Sequence, residues 1–174
     1  GCSGTLIKHV LKGDQVIMLV ITDSAYKNPS GYTVRDPVVA NMEGQKAASL
    51  VGAHLICLEL QTFMVLNDET LTKKINAYVE DYKIDIIYSH WVHDIHRDHQ
   101  FAARSALMAG RHVPRFLMYR SNYYDTEHQF KGNIYSDISG VMSKKIEVIK
   151  AHESELERVR YKWLEFFMQQ NSND

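Results

Sequence analysis

Apolar positions along the chain switch between a helical period and short unbroken runs, and the switches mark out the elements. Residues 5–11 read as a short helix stopped at Gly13, and Val16-Ile17-Met18-Leu19-Val20-Ile21 as a strand apolar on both faces, the pattern of a buried parallel strand. A polar loop over 22–37, containing Asn28-Pro29-Ser30-Gly31, leads to a helix over 38–51 that ends at Gly52. A strand at 54–58, a helix at 70–82 with Leu71, Ile75 and Val79 on one face, and a strand at 85–88 follow. Asp98 or a neighbour caps a further helix that runs to Ala109 and stops at Gly110. Residues 115–119 and 134–138 are strand candidates, and helices over 144–149 and 156–167 close the chain. This alternation predicts an α/β fold, a Rossmann-like open, mostly parallel sheet with flanking helices, in a single domain over 1–174.

Composition narrows the function classes. The formal net charge is −1, and no basic run interleaves with aromatics, so nucleic acid is not an expected partner. No apolar stretch approaches a membrane span and no signal-peptide pattern opens the chain, which makes cytoplasmic the default location. Cys57 lies in an apolar run and Cys2 near the terminus, a pattern of neither a disulfide scaffold nor a zinc knuckle.

The chemistry concentrates in His93-Asp94-Ile95-His96-Arg97-Asp98-His99, three imidazoles and two carboxylates directly after a predicted strand. Imidazole binds zinc or moves protons near neutral pH, and a neighbouring carboxylate fixes the ring tautomer. A solvated loop matches the same residues. Position favours a site, because open α/β sheets bind ligands at the carboxyl ends of their strands. His90 and Trp91, at the same strand end, suit either a sugar pocket or packing under the loop. The stretch 119–124, with Arg120, Asn122 and Tyr123, reads equally as a substrate-side loop or as turn chemistry. Tyr161, Leu164, Phe167 and Met168 form a stripe that packs on the core or, alternatively, makes a homo-oligomer interface.

The residues resemble the LmbE-like, or PIG-L, superfamily of zinc-dependent N-acetylglucosaminyl de-N-acetylases. His96-Arg97-Asp98-His99 matches its His-x-Asp-His motif, and Asp94 an Asp two residues upstream. Gly1-Cys2-Ser3-Gly4-Thr5-Leu6 is similar to the segment that opens the family's first helix, and Glu43, Ala47, Ala48 and Gly52 resemble its second. Phe130-Lys131-Gly132-Asn133-Ile134-Tyr135-Ser136-Asp137-Ile138 resembles a later Phe-x-Pro-Asn segment, and 145–154 the helix after it. The resemblance implies a zinc-dependent hydrolase that removes acetyl from an N-acetylglucosamine-type sugar or conjugate. It implies His99 as a Zn2+ ligand, His96 as the group that polarises the carbonyl or protonates the leaving amine, and Asp98 as the carboxylate that orients a histidine. Asp94, Arg35 and Asn133 would lie in the outer shell or face substrate.

The chain departs from the pattern in three places. The family's His-Pro-Asp-Asp-Glu segment, which supplies two further zinc ligands and the general base, would fall just ahead of Gly1. We therefore expect an N-terminal segment and a first strand beyond the sequence given, and inactivity without them. Ala40 stands where many members carry an Arg, for which Arg35 is the candidate substitute, and Gly132 replaces the Pro. The alternative is a non-catalytic relative that binds a sugar or partner. A nucleotide-binding Rossmann domain ranks below both, since a phosphate-binding Gly-x-Gly-x-x-Gly is missing.

Overall fold

A computed structural model describes residues 1–122, 124 and 126–172. The elements, in order, are α1 (Ser3–Leu11), β1 (Ile17–Thr22), β2 (Tyr26–Lys27), β3 (Thr33–Arg35), α2 (Pro37–Val51), β4 (His54–Leu60), α3 (Glu69–Asp81), β5 (Ile86–His90), α4 (Arg97–Ala109), β6 (Arg115–Tyr119), α5 (Met142–Lys150), α6 (Glu153–Arg158) and α7 (Lys162–Ser172). They pack as two compact units, Phe63–Gly132 with Gly1, and Cys2–Thr62 with Asn133–Asp174. The fold is mixed α/β, with mostly parallel strands and flanking helices.

In the unit containing α1, β1 pairs in parallel with β4, Ile17 opposite His54 and Val20 opposite Cys57. Ile7, Ala47, Val51, Val141, Val148 and Ala151 form its core, so α1, α2 and α5 close over one another through small and branched side chains. Local chemistry sets the ends of α2. The Asp36 carboxylate accepts from the Val38 and Val39 amides, Pro37 takes the first turn, and Gly52 ends the helix in the left-handed region at φ 83°.

In the other unit β5 pairs in parallel with β6 from Ile86–Arg115 to His90–Tyr119. α3 starts at Asp68, whose carboxylate accepts from the Leu71 amide. Leu71 and Ile75 of α3, and Ala103 and Ala109 of α4, are buried. Because β5 and β6 are adjacent and parallel, the loops leaving their carboxyl ends emerge side by side.

Four features differ from the sequence reading. The 22–37 loop contains the antiparallel hairpin β2–β3, whose strands are too short for periodicity to reveal. Residues 134–138 are not a strand, and Ile134 and Tyr135 are exposed. The helix expected over 156–167 is broken into α6 and α7, because Arg160 and Tyr161 both take positive φ, 50° and 59°. β1 is parallel as expected but half-buried along its length, since each parallel sheet has two strands among the described residues and each strand one paired edge. No helix among the described residues is long and apolar enough to cross a membrane.

Candidate active site

The site grows from the carboxyl ends of β5 and β6. β5 ends at His90, a turn carries the chain through Asp94, and His96 caps α4 with its ring, Nδ1 accepting from the Asp98 amide at 3.2 Å. A backbone amide can only donate, so that Nδ1 carries no proton and neutral His96 holds its proton on Nε2. Burial keeps the His96 pKa below the ordinary histidine value. His96 is thus a neutral donor through Nε2.

His99 has the opposite character. Its Nδ1 lies 3.2 Å from Asp94 Oδ2 and 3.4 Å from Ser121 Oγ, so the neutral ring donates there and keeps its lone pair on Nε2. Asp94 is buried and fully occupied. Oδ1 accepts from the His96 amide at 2.8 Å and from Asn122 Nδ2 at 2.8 Å, while Oδ2 accepts from Ser121 Oγ and faces His99. Burial alone would raise the Asp94 pKa, but hydrogen bonds from His99, Ser121 and the His96 amide outweigh it and hold the carboxyl far below the usual range.

The rings stack in a column. His90 lies 4.1 Å from His99 between centroids, His99 4.7 Å from His96, and His96 5.3 Å from Phe63. His90 meets the Tyr119 hydroxyl through Nε2 at 3.3 Å, and burial above all pushes its pKa down to about 3. It is a neutral packing partner for His99. Phe63 takes φ 67°, a conformation unusual for an aromatic residue; its amide donates to Asp98 Oδ2 at 2.7 Å, and its carbonyl accepts from Arg97 at 3.4 Å. In this cluster the carboxylate on a histidine ring is therefore that of Asp94, whereas the Asp98 carboxylate holds the Phe63 amide beneath the ring that stacks on His96. Asp98 Oδ1 is buried without a hydrogen-bond partner among the described residues.

Beside the column, Trp91, His93, Asn122, Thr126, His128 and Phe130 help line a narrow cleft of about 300 Å³, solvent included. Trp91 meets His93 and Phe130 edge-on, and His93 and His128 lie 4.3 Å apart between ring centroids. Tyr123 lies outside the described residues. Arg35 and Asn133 belong to the other unit. Arg35 is mostly buried there against Glu43, 2.8 Å away, and donates to Ser154 at 3.2 Å, while Asn133 is exposed. Structure thus brings together His96, His99, Asp94 and Asp98, and adds Ser121 and Asn122. Sequence reading left that pair open between a substrate-side loop and turn chemistry; the adjacency of β5 and β6 was the signal that could have placed them.

The residues present fit part of a zinc site. His99, with Nδ1 held by a carboxylate, has the arrangement of a metal-ligating histidine. Among the described residues, however, no group of three His, Cys, Asp or Glu side chains is placed to hold a metal ion.

The family described as PIG-L, GlcNAc-PI de-N-acetylase, matches residues 1–109. No curated protein matches the chain. Among solved structures, the conserved protein TT1542 from Thermus thermophilus aligns with a TM-score of 0.75 at 19% identity over 90% of this chain and 74% of its own. The N,N'-diacetylchitobiose deacetylase from Pyrococcus horikoshii aligns with a TM-score of 0.74 at 21% identity, over 95% of this chain and 69% of its own. GalB, the 4-carboxy-2-hydroxymuconate hydratase from Pseudomonas putida, aligns with a TM-score of 0.68 at 14% identity, over 86% of this chain and 71% of its own. At these identities the likeness is one of fold, and the hydratase shows that the fold also carries another reaction.

Proposed function

This chain belongs to the PIG-L family, and from that premise we propose that it is part of a zinc-dependent amide hydrolase that removes the N-acetyl group from an N-acetylglucosamine-type sugar or conjugate. We assign both units to one catalytic domain, a reading supported by a family match that runs across them.

One observation carries the proposal: two stacked imidazoles have Nδ1 atoms committed to opposite roles, leaving Nε2 a proton donor in His96 and a lone pair in His99. His99 would hold the metal together with ligands that the described residues do not supply as a group of three. Bound zinc would polarise the acetyl carbonyl and lower the pKa of a water. His96 would donate its Nε2 proton to the carbonyl oxygen as charge develops there, or to the departing amine nitrogen. Asp94 holds His99 in its metal-binding tautomer, and Asp98 seats Phe63 against His96, limiting the ring's rotation. The products are acetate and a free amine.

The test is amine release from a methyl N-acetylglucosaminide by the full-length protein, with bound zinc measured on the same sample. We expect about one zinc per chain, loss of both zinc and turnover in His99→Ala, and retained zinc with kcat lowered about 10²–10⁴-fold in His96→Gln. Zinc-loaded protein that releases no amine overturns the reading, as does full turnover by His96→Gln.

A second reading is a non-catalytic relative that binds a sugar or partner on a fold that also carries other reactions. Saturable sugar binding by full-length protein that takes up no zinc would select it.

A further inference from the structure

The geometry points to Ser121 and Asn122, on the loop after β6, as positioning residues that set the tautomer of His99 through Asp94. The inference rests on the reading of His99 as a metal ligand and extends it to a part of the chain with no recognisable motif.

His99 needs a proton on Nδ1 if Nε2 is to offer a lone pair, and a neutral imidazole in solution populates both tautomers. Here Nδ1 is bracketed by two oxygens, Asp94 Oδ2 at 3.2 Å and Ser121 Oγ at 3.4 Å. Ser121 gives its own hydroxyl proton to Asp94 Oδ2 and so presents a lone pair toward the ring. A ring with its proton on Nε2 would put a bare nitrogen against a carboxylate oxygen and a hydroxyl lone pair, which is repulsive.

Asp94 can do this only if its carboxylate cannot rotate. The His96 amide and Asn122 Nδ2 hold Oδ1, both at 2.8 Å, from opposite stretches of the chain. Asn122 is itself 7% exposed and immobilised. Its Oδ1 accepts from the Tyr124 amide at 3.0 Å, and its backbone carbonyl accepts from Arg120 Nε at 2.9 Å. The loop is a brace built across two adjacent parallel strands, and the side chains of Ser121 and Asn122 both end on one carboxylate.

Tautomer and metal affinity test this independently of turnover. In the metal-free chain, long-range ¹H–¹⁵N correlation spectra of the imidazoles should show His99 protonated on Nδ1 in the wild type. In Ser121→Ala a population protonated on Nε2 should appear, while Ser121→Thr, which keeps the hydroxyl, should restore the wild-type pattern and Thr72→Ala on α3 should leave it untouched. In the full-length protein, competition titration with Zn2+ alone should show affinity lowered about 10–100-fold in Ser121→Ala and recovered in Ser121→Thr. Asn122→Ser, which shortens the second arm, should move the tautomer in the same direction. An unchanged tautomer and unchanged zinc affinity in Ser121→Ala overturn the brace even if the protein proves to be a zinc hydrolase. A shifted tautomer in a protein that never releases amine upholds the brace and removes the hydrolase reading instead.

Discussion

Arg35 illustrates what residue identity leaves open. Sequence made it a candidate substrate-facing cation, but folding packs it against Glu43 with both side chains close to nine-tenths buried, and Ser154 completes the cluster through its amide and hydroxyl. Removing one member of such a pair leaves a buried charge without a counter-ion. Arg35→Ala should therefore cost about 3–5 kcal/mol of unfolding free energy in a denaturant titration. A loss below about 1 kcal/mol, the range of an exposed ion pair, would show that the cluster carries little of the fold. The histidines make the same point in reverse, because His96 and His99 share a motif yet acquire opposite Nε2 characters from what meets their Nδ1 atoms, the Asp98 amide in one case and Asp94 in the other.

At the scale of elements, capping and turn chemistry were the most legible signals. Gly52 was expected to stop α2, and it does so with a left-handed φ of 83°; a Cβ there would also lie 2.9 Å from Val10 Cγ1. Gly52→Ala should lower stability by about 1–2 kcal/mol from backbone strain alone, measured as a reduced calorimetric melting temperature. An unchanged melting temperature would mean that α2 can end another way. The signals that failed were those where a local pattern competes with a backbone conformation imposed by packing. Residues 134–138 have strand-like composition but no strand partner, and the apolar stripe of the last helices is interrupted at Arg160 and Tyr161 by conformations that β- or α-propensity does not encode.

For the whole molecule, buried histidines tie stability to pH. His90, His96 and His152 all have pKa values lowered first by burial, His90 to about 3. A group whose folded pKa lies below its unfolded value of about 6.5 binds more protons when unfolded, so its contribution is present above that pH and is lost on acidification. Glu43 and Asp94, also lowered, act in the same direction at lower pH: their contributions are present above the unfolded carboxylate values and are lost as pH falls through the folded ones. Unfolding free energy of the metal-free chain should fall from pH 6.5 toward pH 4, and His90→Gln should flatten the slope by up to about 1.4 kcal/mol per pH unit. An identical slope in that variant would show that folding does not lower the His90 pKa. The alternation of helices and strands, the caps at Asp36, Asp68 and Gly52, and the clustering of His96, Asp98 and His99 were determined by the sequence itself, because each depends on residues within a few positions of one another. The union of Asp94 with Ser121 and Asn122, 27 and 28 positions away, was decided only by tertiary structure. Parallel pairing of β5 with β6 places two loops side by side, and no local pattern encodes which side chain on one loop will meet a carboxylate on the other.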